Sequence, residues 1–153
     1  VLEKVRYLDL SDMIIKEIST QDIGFKYRDS FFQRNNDKIV LKAWIKLSKG
    51  NQNLIKTKME TNKKIRWEKQ PRNYPNSGSV FKRPPGRFVG PMLEELDLKG
   101  FRIGGAKISE KHSGFIINTG NATGAELLQL ISVIKSKVKK SFKIDLQLEQ
   151  KII

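Results

Sequence analysis

GFRIGGAKISEKHSGFIINTGNATGAELLQLISVIKSKVKK, residues 100–140, is the stretch on which the fold turns. Phe101 to Lys107 and Phe115 to Asn118 read as short strands, rich in β-branched and aromatic residues. Between the halves of the first lie Gly104 and Gly105, which lack a Cβ and let another piece of backbone pass close by. Thr123 followed three residues later by Glu126 is a capping box, in which each side chain satisfies an orphan amide of a helix start. Leu127, Leu130, Ile131, Ile134 and Val138 then recur at helical spacing, so a helix buries that face. Lys135, Lys137, Lys139 and Lys140 occupy its other face and suit the negative end of the helix dipole. Beyond it, Ile144, Leu146 and Leu148 alternate with Asp145, Gln147 and Glu149, the pattern of a strand with one polar face. Strands mixed with helices in this way predict an α+β fold with an antiparallel sheet.

Working outward, Val1 to Leu10 reads as a strand closed by a Ser11-Asp12 turn, and Ile39 to Leu47 (IVLKAWIKL) as a second. GFKYRDSFF, residues 24–32, separates them. After Gly50-Asn51, the polar segment Asn53 to Lys69 is a helix with a sparse apolar stripe of Leu54, Ile55, Met59 and Ile65. Pro71 to Gly90 holds four prolines and several glycines and is largely loop. Met92 to Leu96 is a short helix, stopped near Gly100. The expected organisation is a tail of one domain (1–50), a helical connector (51–70), a small α+β domain (71–143) and a returning strand (144–153).

The chain has 153 residues, 38% of them hydrophobic, which suffices for a core. Thirty Lys and Arg against 16 Asp and Glu give a formal charge of +14. Such a surface attracts polyanions, although solvated faces account for most of these charges. There is no cysteine, so disulfides and Cys-based metal sites are excluded. A reducing, cytoplasmic setting fits. No apolar run approaches the length of a membrane span. The opening at Val1, directly in a strand, is that of an internal fragment.

Three places suggest chemistry. PNSGSVFKRPPG, residues 75–86, combines small residues with Lys82 and Arg83, and reads either as an anion cradle or as a Pro/Gly surface loop. In Tyr27-Arg28-Asp29-Ser30, Arg28 suits a carboxylate or phosphate clamp, or a surface pair with Asp29. Glu149 stands near the end of the last strand, where a solvent-facing position is the plain alternative. His112 is the single histidine, and no metal-ligand spacing surrounds it.

The order of these pieces adds what none carries alone. FKYRDSFF, RWEKQP, PNSGSVFKRP, GFRIGGAKISEKHSGFIIN and FKIDLQLEQKII together resemble the UDP-N-acetylenolpyruvoylglucosamine reductase family. That family shows YRDS, R-x-x-KQP, SGSVFK, LKG-x-R-IGGA-x-VSEKH and a terminal L-x-x-E-V strand in the same order. The likeness covers nearly the whole chain, most densely from Arg66 to Asn118.

The resemblance implies an NADPH-dependent, FAD-mediated reduction of UDP-N-acetylglucosamine enolpyruvate to UDP-N-acetylmuramate, in peptidoglycan synthesis. By motif, Ser79 is the proton donor, and Arg28 and Glu149 act at the substrate carboxylate. Lys69 of KQP matches a diphosphate contact. Arg83, where some members carry Asn, is a phosphate contact, His112 matches a position near the substrate, and Tyr27 packs on the flavin or the substrate pocket. Gln150 departs from the usual Val. The family's N-terminal half, with its Gly-rich FAD-pyrophosphate loop, is not in this sequence. The chain alone is therefore expected to bind FAD poorly and to lack activity.

Two rivals come from other classes. A basic nucleic-acid-binding domain rests on the charge alone, since Phe81, Phe88, Phe101 and Phe115 are scattered and form no stacking platform. No specific nucleic-acid partner is expected. The other is a non-catalytic relative that binds a UDP-sugar.

Overall fold

The computed structural model describes residues 1–152. It divides into two compact units, one from Val1 to Ile55 and one from Lys56 onward. Each is α+β with a three-stranded antiparallel sheet.

In the first unit, β1 (Leu2–Asp9) lies between β2 (Ile14–Ser19) and β3 (Lys38–Ile45). Strand periodicity sends Val5, Tyr7 and Asp9 to one face, and all three are buried. Two four-residue helices, α1 (Thr20–Ile23) and α2 (Phe31–Arg34), supply the cover. Ile23 is fully buried, and Tyr7 meets the rings of Phe31 and Phe32 edge-on at 5.7 and 5.6 Å. β2 is an element absent from the sequence expectations. Its Ile14 and Ile15 remain exposed, so no buried face disciplines its pattern.

Asp9 is a carboxylate in this small core, 5% exposed. It accepts bonds from the ammonium groups of Lys16 (2.8 Å) and Lys38 (2.6 Å) and from the hydroxyl and amide of Ser11. Those partners, Lys16 foremost and then Lys38, hold its carboxyl well below the usual carboxylate range. A depressed carboxyl contributes stability that is full above its unfolded pKa, about 3.9, and lost as pH falls through the folded value. The first unit should therefore weaken steadily below about pH 4. Asp9→Asn should lower its stability at neutral pH and flatten that acid limb. Urea midpoints followed by Trp44 emission in a Trp67→Phe background, across pH, check this. An unchanged acid slope in the variant would remove Asp9 as the cause.

The element α3 (Gln52–Lys69) crosses the boundary between the units, and none of its residues is buried. In the second unit, β4 (Arg102–Ile103), β5 (Ala106–Ile108) and β6 (Ile116–Asn118) form a meander. α4 (Val89–Glu95) and α5 (Gly124–Phe142) complete the core. Leu130, Ile134 and Val138 of α5 are fully buried against Met92, Leu93 and Ile108. The capping box is present in full: Glu126 N–H donates to the Thr123 hydroxyl, and Thr123 N–H to the Glu126 carboxylate. The same carboxylate accepts the Gly105 amide at 3.2 Å. The Thr123 and Gly105 amides together hold the Glu126 carboxyl below its ordinary range.

Three expectations need correction. Phe101 to Lys107 is not one strand but a hairpin, with β4 and β5 joined at Gly104-Gly105. The backbone that passes close there is that of Asn121 and Ala122. The short helix starts at Val89, not Met92, because Pro91 falls in the first turn, where a missing N–H leaves no intrahelical bond unmade. Residues 144–149 alternate in burial but form only a bridge, Phe81 to Leu148, with bonds Lys82 N–H to Gln147 O and Glu149 N–H to Val80 O. The partner segment is short, ended by Pro84-Pro85, which have no amide to donate.

Candidate active site

The loop expected to carry Ser79 is built from its neighbours. Asn76 Nδ2 donates to the carbonyls of Pro71 (3.0 Å) and Tyr74 (2.8 Å), and its Oδ1 accepts the Gly78 amide at 3.0 Å. This Asx turn needs Gly78 at φ +85, a conformation glycine adopts without strain. Ser79 emerges exposed, bridged to Phe115, and Val80 N–H donates to Gly114 O at 3.1 Å. Residues 79–82 are thus held between the 114–115 segment on one side and the 147–149 segment on the other.

The pairing brings the backbones of Ser79 and Glu149 onto neighbouring segments. Glu149 N–H bonds the carbonyl of Val80, the residue after Ser79, at 2.9 Å, and Glu149 is half-buried. Gln150, the departure from the family pattern, has a place in this arrangement: its Nε2 donates to Ser77 O at 3.2 Å. Asn76 and Gln150 fix the loop from its two sides. Sequence reasoning assigned no role to either, although the Pro-Asn-Ser-Gly run is a turn signal in which Asn closes its own backbone.

His112 is exposed, with Nδ1 accepting the Gly114 amide at 3.1 Å and the ring edge-on to Phe115 at 4.8 Å. An accepting Nδ1 puts the neutral ring's proton on Nε2, pointing the donor elsewhere. The turn beneath it depends on Ser109, only 1% exposed, whose hydroxyl accepts the amides of Lys111 and His112. Ser113 anchors the next step by donating to Glu94 at 2.8 Å. Arg83 lays its guanidinium 3.7 Å over the Phe88 ring. Lys69 is the exposed last residue of α3.

Tyr27 and Arg28 belong to the first unit. They form the tip of a two-residue loop closed by Lys26 N–H to Asp29 O (2.9 Å) and the return bond (3.3 Å). Arg28 has φ +55, a left-handed conformation that costs a non-glycine residue about 1 kcal/mol. Its guanidinium lies 5.5 Å from the Tyr27 ring, and Asp29 pairs with Arg34 at 2.6 Å. Met13, Asp97 and Lys143 share this left-handed φ, so the conformation alone does not set Arg28 apart.

A flavin diphosphate seeks free amides at a helix start. The start of α5 is filled by its own Thr123 and Glu126, and Asn51 Oδ1 takes the Leu54 amide at the start of α3. Among the described residues no three His, Asp or Glu side chains gather as a metal site. No helix among them is long and apolar enough to cross a membrane.

Comparison with known proteins gives these features a family. The profile of the UDP-N-acetylenolpyruvoylglucosamine reductase C-terminal domain matches residues 70–153. The reductase of that name from Caldanaerobacter subterraneus is 52% identical over 153 residues, covering 100% of this chain and 50% of the relative. That from Syntrophomonas wolfei is 44% identical with the same coverage. The chain thus spans about half the length of the curated relatives it matches. Among solved structures, the UDP-N-acetylenolpyruvylglucosamine reductase of Thermus caldophilus superposes with a TM-score of 0.81 at 29% identity, over 98% of this chain and 52% of that one. By its sequence and by the fold of its second unit, the chain belongs to the family of the C-terminal domain of UDP-N-acetylenolpyruvoylglucosamine reductases.

Proposed function

We propose that the chain supplies the proton-donating and substrate-holding part of a cytoplasmic reductase. This enzyme converts UDP-N-acetylglucosamine enolpyruvate to UDP-N-acetylmuramate with NADPH, for peptidoglycan. What supports the reading is the backbone pairing that sets Glu149 against Val80, the residue after Ser79, within the stretch matched by the C-terminal-domain profile. The hydride would be supplied by reduced FAD, with most of its contacts expected from the relatives' N-terminal half.

Once the enolpyruvyl double bond has taken a hydride at one carbon, negative charge develops on the other and spreads into its carboxylate. Ser79 gives its hydroxyl proton to that carbon, which completes the reduction. A serine is a weak acid in water, but a carbanion-like centre is basic enough to take its proton. Arg28 and Glu149 are assigned to the carboxylate, where preorganised donors stabilise the enolate. Lys69 and Arg83 are assigned to the diphosphate, His112 to the sugar-nucleotide nearby, and Tyr27 to the wall of the pocket.

The test is a chimera in which this chain replaces the matching half of the Caldanaerobacter subterraneus relative. It should turn NADPH over, beyond the single equivalent that reduces the flavin, only when the enolpyruvyl substrate is present. NADPH oxidation indifferent to that substrate, in a folded chimera, would defeat the reading.

A further inference from the structure

A cavity of about 380 Å³ opens in the second unit, and neither Ser79, Glu149, Arg83 nor His112 lines it. Its volume falls within the range of small-ligand sites, about 300–1,000 Å³. Two aromatic side chains stand at it, Trp67 from the end of α3 and Tyr74 from the loop that follows, and both are largely exposed. Exposed rings beside a cavity present faces on which a flat ligand stacks.

The charged lining is equally one-sided. Arg72, Lys107 and Lys111 face Glu110 alone, an excess of two positive charges. The cavity lies in the more basic unit, since residues 56–153 carry 20 Lys and Arg against 9 Asp and Glu, and residues 1–55 carry 10 against 7. The walls are also braced. Arg72 lies over the Trp67 ring at 5.1 Å, Lys111 Nζ donates to Trp67 O at 2.8 Å, and Lys107 pairs with Glu110 at 2.6 Å. An incoming phosphate competes with the Glu110 carboxylate for Lys107 and finds the Arg72 guanidinium within the same lining.

We propose that this cavity binds a phosphate-bearing heteroaromatic ring of mononucleotide size. The ring lies against Trp67 and Tyr74, and the phosphate against Lys107 and Arg72. This goes beyond the reductase reading, because it requires neither Ser79 nor any residue of the first unit. The two can fail separately.

The test uses the whole 153-residue chain carrying Trp44→Phe, so that Trp67 alone emits. Titration with UMP, and separately with AMP, should quench that emission saturably, with a Kd of about 1 mM or below. Inorganic phosphate over the same range should leave it unchanged, because the ring does the quenching. Arg72→Ala and Tyr74→Ala should each weaken binding about tenfold, near 1.4 kcal/mol. Lys137→Ala, which removes equal charge from the outer face of α5, should not. Lys107→Gln probes the opposite wall if loss of Arg72 disturbs Trp67. Absence of saturable quenching up to about 10 mM nucleotide would overturn the proposal. So would an equal response to phosphate alone, or wild-type affinity in Arg72→Ala, Tyr74→Ala and Lys107→Gln together.

Discussion

Ser79→Ala in the proposed reductase is expected to leave the reduction of flavin by NADPH nearly untouched. Reoxidation by the enolpyruvyl substrate should slow by about a hundredfold or more, the usual scale for a lost general acid. The two half-reactions separate the roles cleanly, because only the second requires a proton at carbon. Fold damage is an unsuitable explanation for such a loss. Ser79 is exposed, and its loop is held by Asn76 and Gln150 through groups the substitution leaves in place. Stopped-flow absorbance at the flavin band measures both steps. Equal slowing of the two, or no slowing of the second, would take the proton-donor role away from Ser79.

Gly105→Val is expected to destabilise the second unit by about 3 kcal/mol, the upper end for forcing extra volume into a packed site. A Cβ at Gly105 would stand 2.7 Å from Ala122 Cα and from the Asn121 carbonyl carbon, which are backbone atoms that cannot swing aside. The strain is not conformational, because Gly105 has no positive φ. Gly90→Ala is the control: its Cβ meets nothing within 4 Å, and the change should be neutral or slightly stabilising. Urea unfolding followed by Trp67 emission in a Trp44→Phe background compares them. Wild-type stability in Gly105→Val would show that the hairpin and the start of α5 do not approach as described.

These two sites also mark what could be read from residues alone. The start and buried face of α5 were legible, because an apolar spacing and a capping box agree and both are local. The Gly104-Gly105 pair announced a close approach but not its partner, which lies about a turn before the helix and is set by tertiary packing. Strand β2 escaped notice because Ile14 and Ile15 face outward and its pairing with β1 alone keeps it extended. The last alternating segment was read as a strand from its period, correct for burial, but the prolines at 84 and 85 deny it a full ladder.

Within the candidate site, Ser79, Arg28 and Glu149 were reached through resemblance, since each taken singly has an ordinary surface explanation. Asn76, Ser109 and Gln150 were out of reach for a different reason. Their importance lies in hydrogen bonds to backbone, and the partner of Gln150 is separated from it by 73 positions. Nothing in residue type or spacing advertises a bond of that kind. Asp9 belongs with them, a buried carboxylate satisfied by lysines that come from two other strands.

The amide of Gln150 grips Ser77 while the neighbouring backbone of Glu149 grips Val80. The tail therefore holds the turn between them at two points, and an aliphatic side chain at position 150 would keep only the backbone one.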